Sequence, residues 1–66
     1  MTAILIKKNE YDEFEVPTEF VFSNRREVAA EIYYTDDKHD AIDTAKMIHG
    51  VDVVCKFKRG TYGEGE

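Results

Sequence analysis

Asp36, Asp37, His39, Asp40 and Asp43 crowd into one short stretch, the densest run of metal-ligand side chains in the chain. On a helix, His39 and Asp43 share a face at i, i+4, as do Asp36 and Asp40 if the helix begins early enough. A hard cation wants several oxygens held in a fixed cage, commonly on a loop with a glycine turn. No glycine lies within this stretch. Helix capping and solubility account for these acids, so neither a metal nor a cofactor is expected. His39 and His49 fall on different helix faces, and neither has a serine or cysteine in a recognisable nucleophile setting. Cys55 is the only cysteine; its side chain is expected to point into the core and act as a small hydrophobe. Glu13 and Glu15 share a strand face, but acid–base work needs a cleft that shifts a pKa. A chain of 66 residues leaves little room to build one. The expectation is a non-enzyme.

Charge along the chain is uneven. Between residues 10 and 43 there are eleven carboxylates against Arg25, Arg26 and Lys38, while most other bases lie outside that stretch. Summed charge of one sign attracts partners of the other sign. Glu10, Asp12, Glu13, Glu15 and Glu19 form a base-free run interleaved with Tyr11, Phe14 and Phe20. Alternate carboxylates on a strand sit about 6.5 to 7 Å apart on one face, close to the spacing of phosphates along a nucleic-acid strand. Such a row suits a basic groove on a nucleic-acid-handling enzyme. The expected protein contacts are Tyr11, Asp12, Glu13, Phe14, Glu15 and Glu19, with Tyr11 and Phe14 as aromatic anchors. The plainer reading is an edge strand kept soluble by charge.

A second reading uses the opposite sign. Lys56, Lys58 and Arg59 alternate with Phe57 and lead to Tyr62, as bases and aromatics do in single-strand binders. Lys7 and Lys8 would extend that patch if the first and last strands are neighbours. The net charge of −5 argues against a general nucleic-acid or anionic-membrane binder.

These side chains need elements to hold them. Asp36 and Asp37 suit a helix N-terminus, and Ala41, Ile42, Ala45 and Ile48 mark one buried stripe. Gly50 follows His49 at a position suited to a positive-φ helix stop. The spacing predicts a helix over residues 37 to 49. Residues 51 to 58 alternate as a half-buried strand, and residues 3 to 7 make another. Residues 11 to 16 and 20 to 22 read as two strands separated by Pro17, which cannot donate to a ladder. Residues 24 to 34 fit helix or strand; the β-branched and aromatic run at Ile32, Tyr33 and Tyr34 favours strand, turned at Asn24 and Arg25. The expected fold is α+β: a mainly antiparallel sheet of four to five strands crossed by one helix, in the order β-β-β-β-α-β. That helix would cover Ile4, Ile6, Phe20, Phe22 and Phe57. Residues 1 to 59 form one domain, and the glycine-rich residues 60 to 66 are expected to fray.

A domain this small buries only about 60 % of its unfolded surface, so oligomerisation is a further expectation. No run nears the roughly 20 apolar residues of a membrane span. The apolar start precedes its charges, unlike a secretory leader. A lone thiol fits a reducing, cytoplasmic setting.

The stretch from Ile32 to Ala45, through Thr35-Asp36-Asp37-Lys38-His39-Asp40, with Gly50-Val51-Asp52-Val53 after it, resembles the strand, acidic-capped helix and strand of small bacteriophage proteins. Among these are phage-encoded host-takeover proteins that inhibit host RNA polymerase. The resemblance covers about half the chain and implies a non-catalytic protein in the host cytoplasm that docks on a host enzyme. No functional residue is carried over from it.

Overall fold

In the computed structural model, which describes residues 2–62, the elements are β1 (Ala3–Lys8), β2 (Phe14–Ser23), β3 (Arg26–Thr35), α1 (Lys38–His49) and β4 (Val54–Arg59). The fold is α+β, with one helix on a four-stranded sheet of order β3-β2-β1-β4. α1 starts where its chemistry dictates. The Asp37 side chain accepts from the backbone N–H groups of His39 (2.9 Å) and Asp40, satisfying donors that have no partner inside the helix. The helix ends at Gly50, whose φ of 119° suits a residue without Cβ and whose N–H reaches the Lys46 carbonyl.

The sheet differs from expectation in the strands that precede the helix. Residues 11 to 16 and 20 to 22 do not form separate strands; β2 runs continuously through Pro17, so three strands precede the helix rather than four. β1 pairs with β2 only at Lys7–Glu15 and Lys8–Phe14, and the β2–β3 register slips just after Pro17. A proline is tolerated where the ladder is already irregular. The sheet is mainly antiparallel, as expected, with β4 alone running parallel to its neighbour β1. A helical crossover returns the chain in the direction it left, so β4 runs with β3 and therefore with β1. Residues 24 to 34 do contain strand, and the hairpin turns on Asn24 and Arg25, both at positive φ (52° and 66°). Paired positive φ values match the right-handed twist of the flanking strands.

Ile4, Ile6, Phe14, Val16, Ala41, Ala45 and Val53 form the core, with Phe20 and Cys55 packed against it. Cys55 is thus half-buried at the core's margin. Phe22 and Phe57 were expected under the helix, yet they are 76 % and 40 % exposed. Length explains Phe22: a 12-residue helix spans about 18 Å, whereas a 10-residue strand spans about 33 Å. The tip of the β2–β3 hairpin therefore runs past the end of α1. Phe57 sits on the edge strand and packs edge-on against Phe14 at 5.9 Å, with the Lys38 ammonium 4.8 Å from its ring centre. Val51, expected as the start of the last strand, lies in a turn and is exposed.

Two alanines at full burial let α1 approach the sheet closely. Ala45→Leu is expected to force that contact apart and lower unfolding free energy by about 1 to 3 kcal/mol in urea titration. Asp37→Ala is expected to cost about 1 kcal/mol in the same measurement through the lost cap.

Candidate functional site

The link between β1 and β2 is a tightly specified turn built around Asn9. Its side-chain oxygen accepts from the backbone N–H groups of Tyr11 (2.9 Å) and Glu13 (3.1 Å). Its own N–H donates to the Glu13 carbonyl, and the Asp12 N–H donates to the Asn9 carbonyl. Asparagine suits this place because its short amide replaces backbone partners that a turn lacks. Asp12 takes φ 63° to close the loop. With Asn9 turned inward, Tyr11 points outward and is 75 % exposed. Glu10 and Asp12 are exposed beside it, and Glu13 is half-buried.

Beneath the turn lies a buried carboxylate. Glu15 is 2 % exposed, on the sheet face away from α1, between its cross-strand neighbours Lys7 and Tyr34. The Asn9 amide donates to it at 2.8 Å, the Thr61 hydroxyl at 2.8 and 2.9 Å, and the Tyr62 N–H at 2.7 Å. Burial alone would push the Glu15 carboxyl up. The Tyr62 N–H, the Asn9 and Thr61 side chains and the Lys7 charge together outweigh burial and hold it below the ordinary glutamate range. Tyr62 shifts the other way, raised by its own burial and by the charge of Glu15. Its hydroxyl donates to the Leu5 carbonyl, and the Lys7 ammonium lies 4.5 Å from its ring centre. Gly60 to Tyr62 are therefore fastened to the sheet, and the fraying expected from Gly60 does not begin there. The rest of the expected tail, residues 63–66, lies outside the described residues.

An open cleft of about 640 Å³ adjoins the turn, with Tyr11 and Tyr34 among its aromatic linings and Lys8, Glu10, Glu13 and Arg59 among its charged ones. This mixes both signs at one corner, and Lys8 reaches Asp12 at 3.9 Å. The acidic row expected along β2 is therefore not a row. Tyr11, Asp12 and Glu13 lie on the turn, but Phe14 belongs to the core and Glu15 is buried, so neither presents itself to a partner. Alternation explains the loss: once β2 enters the sheet, successive side chains go to opposite faces, and both faces are covered there. Glu19 is exposed but stands apart, opposite Glu31 on β3 and between the two register shifts. Phe20 packs near His49, whose ring Nε2 lies 2.7 Å from the Pro17 carbonyl.

The basic residues do come together. The parallel register sets Lys7 beside Lys58, Lys8 beside Arg59 and Lys56 beside Leu5. The same alternation divides them: Lys7, Lys56 and Lys58 share one face, while Lys8 and Arg59 share the other. Tyr62 is half-buried, with its ring against Lys7.

Asp37 serves as the cap, and Asp40 accepts from the Tyr33 hydroxyl at 2.7 Å, which raises the Tyr33 pKa. Among the described residues, no three His, Cys, Asp or Glu side chains are grouped to hold a metal ion, and no helix is long and apolar enough to cross a membrane. Asn9 and Glu10 read in sequence as a turn between strands, and the turn is there, but the inward role of the Asn9 side chain and the parts played by Tyr34 and Thr61 carried no local signal. No protein-family model, curated protein or solved structure matches the chain.

The Glu15 network makes stability pH-dependent with a definite sign. A carboxyl depressed in the folded state stabilises the fold above its unfolded value, about 4.3, and that contribution disappears as pH falls through the folded value. Urea unfolding across acidic pH is expected to show this loss in the wild type and a flatter profile in Glu15→Gln. At neutral pH Glu15→Ala is expected to cost about 2 to 4 kcal/mol, since it strands several buried donors.

Proposed function

We propose that the protein is a non-catalytic protein-binding module that docks on a basic surface of its partner through Tyr11, with Glu10, Asp12 and Glu13 around the ring. The observation that carries this reading is the buried Asn9–Glu15 network, which fixes the turn while leaving Tyr11 three-quarters exposed. A tyrosine on a fixed backbone supplies a large contact area and has only two side-chain torsions to order on binding. The three carboxylates contribute steering toward a positive partner. Phe14 and Glu15 hold the turn from below instead of touching the partner. A groove that normally holds a nucleic-acid backbone is one surface of this kind, and the likeness to phage-encoded inhibitors implies such a groove on a host enzyme.

A second reading, nucleic-acid binding, draws support from the parallel register that sets Lys7 beside Lys58 with Lys56 on the same face. The division of the five bases between two faces and the net charge of −5 weigh against it.

The two readings separate in one set of measurements. Wild type, Tyr11→Ala and Glu10→Lys with Glu13→Lys are used as bait in bacterial lysate, with circular dichroism to confirm folding. Proteins retained by wild type are expected to be lost from both variants, with Tyr11→Ala weakening a recovered complex by about 2 kcal/mol, roughly thirtyfold. Equal recovery by all three would overturn the reading. Single-stranded DNA affinity that falls steeply with salt and vanishes in Lys56→Glu with Lys58→Glu would establish the second reading instead.

A further inference from the structure

The cleft beside the turn has a charge balance that its lining conceals. Lys8 and Arg59 line it together with Glu10, Glu13 and Glu15. Lys8 directs its charge elsewhere: its ammonium sits 5.3 Å from the Phe14 ring centre and 3.9 Å from Asp12, and neither of those residues lines the cleft. Arg59 is then the one cation set against three carboxylates. Glu15 has both oxygens taken by Asn9, Thr61 and Tyr62, so it contributes field without offering an acceptor. Glu13 is placed differently. It is half-buried, and among the described residues its side chain accepts only one long bond, 3.4 Å from the Asn9 amide. Most of its acceptor capacity is unspent. Tyr11 and Tyr34, both exposed, bring two aromatic rings to the same cleft. Ring faces carry partial negative charge, so rings and carboxylates favour one kind of ligand, a cation.

We infer that this cleft receives an arginine side chain from the partner's basic surface, its guanidinium paired with the Glu13 carboxylate and set against the tyrosine rings. This rests on the reading that the turn docks on a basic surface, and it names the group that enters. Arginine suits the cleft better than lysine. A planar guanidinium pairs with a carboxylate through two parallel N–H bonds and stacks on an aromatic face, whereas an ammonium is a compact, strongly hydrated point charge. The Asn9 side chain holds the backbone of Tyr11 and of Glu13, so both groups are in place before the ligand arrives. Arg59 opposes the incoming charge and so limits the affinity.

NMR titration of the full chain with three capped glycine pentapeptides, carrying arginine, lysine or neutral citrulline at the centre, tests it. Wild type is expected to bind the arginine peptide about fivefold more tightly than the lysine peptide and about tenfold more tightly than the citrulline peptide. Glu13→Gln, which keeps an acceptor for Asn9, and Tyr34→Leu are each expected to weaken the arginine peptide about threefold to fivefold. Asp43→Asn removes the same charge from an exposed site on α1 and is expected to leave the affinity unchanged. Arg59→Gln is expected to tighten binding about threefold, a gain that a merely structural role would not produce. No binding, equal affinity for the arginine and lysine peptides, or an affinity that falls no further in Glu13→Gln than in Asp43→Asn would each overturn the assignment. Lysate capture lost in Tyr11→Ala without any arginine preference would sink this inference and leave the docking reading standing. Arginine preference with capture unchanged by Tyr11→Ala would do the reverse.

Discussion

The carboxylate of Glu15 is the tie on which the rest of the molecule depends. It belongs to β2, yet its donors come from the β1–β2 turn through Asn9 and from the chain beyond β4 through Thr61 and Tyr62. A buried charge is tolerated only when its oxygens are fully engaged, and these are. With one cysteine and a core of few side chains, the fold has no disulfide to do this work. Loss of the tie would release the outward turn and the C-terminal segment together. The turn that carries the candidate site is therefore coupled to the rest of the fold through one buried side chain.

A single helix of 12 residues sets the second constraint. It is shorter than the β2–β3 hairpin it crosses, so the core lies under its footprint and the hairpin tip lies outside it. The result is a flat molecule of 33 × 29 × 16 Å with large apolar and aromatic side chains at its surface, among them Tyr11, Phe22 and Val51.

Much of the fold was legible because the signals were local. The cap at Asp37 and the stop at Gly50 act within one or two turns of α1, and the helix appears between them; of the expected buried stripe Ala41 and Ala45 are buried, Ile42 is half-buried, and Ile48 is exposed near the helix end. The hairpin at Asn24 and Arg25 was legible for the same reason. Pro17 misled, because the cost of a proline depends on whether its missing N–H is needed, and that is set by a neighbouring strand. The direction of β4 was likewise invisible, since it follows from a helical crossover that returns the chain beside β1.

Glu15 shows where the reading of the candidate site divides. Composition and spacing marked an acidic, aromatic stretch around Tyr11, and the turn still carries Glu10, Asp12 and Glu13 at its surface. Nothing within that stretch separates Glu13 from Glu15, because both are glutamates two residues apart. Their difference is created by Thr61 and Tyr62, more than forty residues away in sequence, which fold back over one and leave the other partly in solvent. Side-chain type and local periodicity thus determined the elements and the stock of charges. Which charges face water was decided by contacts between distant segments, whose energies depend on three-dimensional position and have no signature in sequence order.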